Sequence, residues 1–147
     1  MTLKQRIQED MKTAMRAGDK PRLGIIRLIL AAVKQIEVDE RIEVDDIRLL
    51  GTLSKMVKQR QDSIAQFAAA NRQDLVAQEE FEINVIQTYL PQPLSEEELD
   101  GLLQQAIEAT HATSIQDMGK VMNWLKPHVQ GRADMGLVSA KIKQKLA

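Results

Sequence analysis

Residues 117–147 read DMGKVMNWLKPHVQGRADMGLVSAKIKQKLA and hold Asp-Met-Gly-x-Val twice, at 117–121 and 134–138. Between the copies begins GRADMG, a G-x-x-x-x-G that could open a phosphate-binding loop. Such a loop continues with Lys and Ser or Thr, since the ammonium reaches the outer phosphates and the hydroxyl holds magnesium. Here Gly136 is followed by Leu137 and Val138, and no strand pattern precedes Gly131, which excludes that loop. An acid at a helix start accepts backbone N–H groups and complements the positive dipole end, and Asp117 and Asp134 both suit that role. A Gly inside a helix costs about 1 kcal/mol relative to Ala, so Gly119 and Gly136 imply close approach of another backbone or of a ligand.

Other chemistry is sparse. The two histidines, His111 and His128, fall in different loops, and Ser, His and Asp show no triad spacing. The acidic runs 79–82 and 96–98 read as solvated helix faces. With no Cys, neither a disulfide nor a thiolate metal site can form. No catalytic residue, metal or cofactor is expected.

The elements that would position these residues are all helices. Of the chain, 44 % is apolar but only 3 % aromatic, and 147 residues contain seven Gly and four Pro. That palette suits long helices with few turns. Thr2 with Gln5 forms a capping box, and Leu3, Ile7, Met11 and Met15 follow at intervals of four. Gly18 closes this helix and Asp19 opens the next, which carries Leu23, Ile26, Leu30 and Val33. VDERIEVDD (38–46) reads as a charged connection. A long helix with Ile47, Leu50, Leu53, Val57, Ile64 and Phe67 then runs to about Ala70, with Asn71 as a left-handed stop, and a fourth spans roughly 72–90.

Pro91 and Pro93 interrupt the helical pattern. Ser95 with Glu98 starts a fifth helix, Ser114 a sixth that ends over Pro127–Gly131, and Asp134 a seventh burying Leu137, Val138, Ile142 and Leu146. The expected fold is all-α, a four-helix domain over 1–90 and a three-helix domain over 94–147.

Charge is unevenly placed. Residues 91–118 carry six acids and no Lys or Arg, while 119–147 carry six bases against Asp134 alone. Such a basic end can form a local phosphate-binding face on a chain of net charge −1. The first ten residues lack a signal-peptide pattern, and the longest apolar run, LILAAV, is too short for a bilayer. A cytoplasmic protein without membrane or DNA partners is expected.

DMGKVM…LKP…GRADMGLVSAKIKQKL resembles the tail domain that ends the B subunit of the tRNA-dependent amidotransferase, and the related E subunit. LKQRIQEDMKTAMRAGDKPRLGIIRLILAAVKQ, KMVKQRQDSIAQF and NRQDLVAQEEFEINVIQTYLPQPLSEEEL are similar to free-standing YqeY proteins, so the resemblance to the GatB/YqeY family covers essentially the whole chain. Met135 departs from it, standing where the family usually has Gly. The resemblance implies an all-helical protein without the amidotransferase's catalytic domain, whose tail would grip tRNA near its elbow. Carried over, Gly119, Lys120, Gly131, Arg132, Asp134 and the last helix's Lys141 and Lys145 would contact RNA. Lys126 joins them on its position near two helix starts. An accessory tRNA-handling module, with a protein partner in tRNA aminoacylation or amidation, is one expectation. A helical interaction adaptor, or a non-catalytic component of a glutamine-dependent carbon–nitrogen ligase, is the other.

Overall fold

The computed structural model describes all 147 residues and contains seven α-helices, one short 3-10 turn and no strand. Two compact units divide the chain, Met1–Leu90 and Pro91–Ala147.

In the first unit, α1 spans Leu3–Ala17 and is opened by the Thr2–Gln5 capping box. Gly18 adopts φ +66° and turns the chain into α2, Lys20–Glu40, where Asp19 Oδ1 accepts the Arg22 N–H at 3.3 Å. The charged connection expected over 38–46 is therefore shorter. No Gly or Pro lies between 34 and 44 to stop the helix, and the Gln35 amide donates to Asp39 one turn on at 2.9 Å. The helix ends only at Arg41, in the left-handed region at φ +54°. Glu37 then holds the connection, accepting Lys4 Nζ at 2.9 Å and the Val44 N–H at 3.0 Å.

Asp45 caps α3, Asp46–Ala69, and Asn71 at φ +57° separates it from α4, Gln73–Gln87. Ile25, Ile26, Ile29, Leu49, Leu53 and Ile86 form the centre of the core, each at most 2 % exposed. Full burial of such a side chain is worth about 1.5–3 kcal/mol. Met15 and Ile47, expected in the buried stripes, are exposed instead. Steps of four drift about 40° each around a helix, so after three steps Met15 has rotated out and Ala14 takes the inward place. The acidic run 79–82 is also not wholly solvated. Glu82 turns inward to accept Arg60 Nε at 3.0 Å, and partial burial, then the Glu82 charge, raises the Glu79 carboxyl above its usual range.

In the second unit the Ser95–Glu98 box opens α5, Glu96–Thr110, which His111 ends at φ +54°. A 3-10 turn at Ile115–Asp117 leads into α6, Met118–Val129, and α7 spans Met135–Leu146. Helix α6 runs two residues beyond Pro127, because a missing N–H so near the end removes one bond while Gln130 N still reaches Lys126 O at 3.0 Å. Leu99, Leu103 and Ala106 of α5 bury against Val121, Leu125 and Val129 of α6 and Val138, Ile142 and Leu146 of α7. Leu137, expected in this core, is exposed because it lies about 100° around α7 from Val138. No helix is long and apolar enough to cross a membrane.

Candidate functional site

The two Asp-Met-Gly copies do different local work. Asp134 Oδ1 accepts the Gly136 N–H at 2.8 Å and caps α7 forwards. Asp117 turns backwards instead: its Oδ2 accepts Thr113 N at 2.9 Å and Ser114 N at 3.3 Å, closing the loop ahead of α6. Those backbone donors, Thr113 first, hold the Asp117 carboxyl below its usual range. Nor do the glycines mark close packing. A Cβ on Gly119 would meet nothing within 4 Å, and one on Gly136 only the Asp134 carboxylate at 3.3 Å. Both are exposed. Met135, where the family usually has Gly, rests against the core of this unit.

Gly131 has a conformational reason to be glycine, since it sits at φ +78° in the turn after α6. Arg132 follows, and its Nε donates to Gln92 O at 3.0 Å while Leu94 N donates to Arg132 O at 2.9 Å. The guanidinium through Gln92 and the Arg132 carbonyl through Leu94 thus fasten residues 92–94 to the α6–α7 turn.

The lysines are divided by the same criterion. Lys141 donates to Asp100 at 3.0 Å, lies 4.0 Å from Glu96, and is only 18 % exposed. The acidic 91–118 stretch and the basic tail therefore neutralise each other in part at this point. Lys120, 3.9 Å from Asp117, remains 71 % exposed. Lys126, Lys143 and Lys145 are exposed without an ion pair. Around α6, Lys120 and Lys126 diverge by about 120°, and Lys145 lies on the flank of α7 that carries Lys141. The expected RNA contacts are thus not gathered on one face.

A row that the sequence reading missed lies along α6. Lys120, Trp124 and His128 recur every four residues and share one flank. The Trp124 and His128 rings stack with centroids 4.7 Å apart and planes at 29°. Trp124 is half-buried against the core while His128 and Lys120 are exposed. The interval of four was visible in KVMNWLKPH. What hid it was the placing of His128 in a loop, when α6 carries it. No group of three or more His, Asp or Glu side chains is arranged to hold a metal ion.

Comparison with known proteins bears on this arrangement. The family model described as Yqey-like protein matches residues 4–146. A protein of Lachancea thermotolerans is 35 % identical over 143 residues, covering 92 % of this chain and 76 % of its own length. One of Pyrenophora tritici-repentis is 33 % identical over 142 residues, covering 95 % and 78 %. One of Vanderwaltozyma polyspora is 30 % identical over 146 residues, covering 95 % and 79 %. All three are named "Altered inheritance of mitochondria protein 41, mitochondrial". These names correct the expectation of a cytoplasmic protein, pointing to mitochondria instead. A match over nearly every residue, with relatives aligned along most of their own length, leaves one conclusion: the chain belongs to the YqeY-like family.

Proposed function

We propose that the protein is a non-catalytic accessory module that handles tRNA, made of a four-helix domain over 1–90 and a three-helix tail domain over 94–147. The observation that carries this reading is the Lys120–Trp124–His128 row on α6. It sets an exposed cation one turn from stacked rings. Proteins that bind unpaired nucleotides combine these features, the cation on the phosphate and a ring against a base, with stacking worth about 1–3 kcal/mol per base. Lys126 and Lys145 supply further phosphate contacts at the rims of the unit, and Arg132 orders the turn between them.

Filter binding of total tRNA to the full chain tests this. Affinity is expected to fall about fivefold or more in His128→Ala and again in Lys120→Ala, with helicity unchanged. Variants that bind tRNA like the parent would remove the α6 row from the site. They would then favour the adaptor reading, which Ile115 and Leu137 also support, apolar side chains 50 % and 51 % exposed in the 3-10 turn before α6 and in the first turn of α7.

A further inference from the structure

Residues 1–34 contain eight Lys and Arg against three acids. The structure shows where that surplus goes. Each acid is already engaged: Glu9 pairs with Lys12 at 3.3 Å, Asp10 accepts the Tyr89 hydroxyl at 2.6 Å, and Asp19 caps α2. Lys4 is tied to Glu37, and the Arg6 guanidinium lies 5.0 Å from the centre of the Tyr89 ring. Arg22 is half-buried with its charge near Tyr89, and Arg16, Lys20, Arg27 and Lys34 are left over, all exposed and without an ion pair.

Their spacing is regular. Lys20, Arg27 and Lys34 recur every seven residues, so they form one row along the outer side of α2, about 10.5 Å apart and about 21 Å from end to end. Ile25, Ile26, Ile29 and Val33 point the opposite way, into the core. Beside the row stand Gly24 and Ala31, both exposed, and a Cβ on Gly24 would meet nothing within 4 Å. Small side chains between evenly spaced cations let a rigid polyanion come close along the whole row.

We infer that this outer face of the α1–α2 hairpin is a second RNA-binding surface, which grips the phosphate backbone of a helical stem without reading bases. The inference rests on the reading above that the partner is an RNA. It assigns the stem to the N-terminal unit and unpaired nucleotides to α6. A lipid surface fits less well, because the apolar side of α2 is spent on the core and cannot insert.

The test is fluorescence anisotropy of a labelled RNA stem-loop titrated with the full chain at several salt concentrations. The variant Lys20→Gln/Arg27→Gln/Lys34→Gln changes only exposed positions, and circular dichroism checks that its helicity is kept. It is expected to lose about tenfold or more in affinity and to flatten the log affinity–log salt slope by about 2–3, one phosphate contact per cation. Unchanged affinity and slope would overturn the inference. Loss in Lys120→Ala/His128→Ala with none in the hairpin variant would also overturn it, leaving the α6 reading intact. Loss in the hairpin variant alone would uphold this surface and remove the α6 site. A parent chain that ignores the RNA yet binds phosphatidylserine vesicles or polyglutamate through these three residues would overturn RNA as the occupant.

Discussion

In residues 1–90 the core is edged by polar pairs joining segments distant in sequence: Lys4 with Glu37, Asp10 with Tyr89, Arg60 with Glu82. In residues 91–147 the corresponding pair is Lys141 with Asp100, and short-range caps do most of the remaining polar work. The difference shows in which cations stay free. The N-terminal unit commits Lys4, Arg6 and Arg60 to its own structure and leaves a row on α2. The C-terminal unit commits Lys141 and part of Arg132, and leaves lysines scattered around two helices. A charge total along the sequence therefore says little about a binding face until the internally paired groups are taken out.

The comparison breaks most readily at the two cores. Leu53→Ala and Leu125→Ala each empty a fully buried site and are expected to destabilise by about 2–5 kcal/mol. Hydrogen exchange should localise each loss: Leu125→Ala speeds exchange in α5, α6 and α7 while α3 stays protected, and Leu53→Ala does the reverse. Equal loosening of both units by either substitution would show one cooperative body and end the contrast.

A smaller effect sharpens the contrast between long-range pairs and caps. Tyr89→Phe leaves the half-buried Asp10 without its donor and should cost about 1–2 kcal/mol. Burial first, and then the Asp10 hydrogen bond, raise the Tyr89 phenol well above its ordinary value. A raised folded pKa contributes stability that is complete below the unfolded value of about 10 and fades as pH climbs above it. Urea unfolding at pH 8 and above pH 10 should thus show the parent losing more stability than Tyr89→Phe. Equal losses would mean that the phenol ionises freely in the fold.

Smaller still is the divergence among the glycines. Gly131→Ala forces a side chain into φ +78° and should destabilise by about 1 kcal/mol. Gly119→Ala enters open space inside a helix and should stabilise by about 0.4–1 kcal/mol, both read by thermal melts. Opposite signs at the two positions are the point; the same sign would mean that Gly119 is constrained after all.

Much of this was legible in the sequence. Thr2, Asp19, Ser95 and Asp134 announced helix starts, and Gly18 and Asn71 announced stops, because capping is a local interaction between neighbours. The end of α2 was not legible: Asp39 and Glu40 continue a helix as readily as they leave it, and only the Arg41 turn decides. The partners of Lys141 and Arg132 were hidden for another reason. Asp100 lies 41 residues from Lys141 and Gln92 lies 40 from Arg132, so tertiary packing alone brings them together. The α2 row was open to view at a spacing of seven, yet its meaning depended on which acids were already occupied.

Lysine acetylation of the full chain with and without tRNA, quantified residue by residue, tests the central claim most directly: exposed cations on two separate helices hold the RNA. Protection by tRNA is expected at Lys20, Lys34 and Lys120, while exposed Lys55 and Lys143 keep their free-protein rates. Lys141, shielded by Asp100, should react slowly in both states. Protection of Lys55 and Lys143 equal to that of Lys20 and Lys120, or no protection at saturating tRNA, would contradict the account.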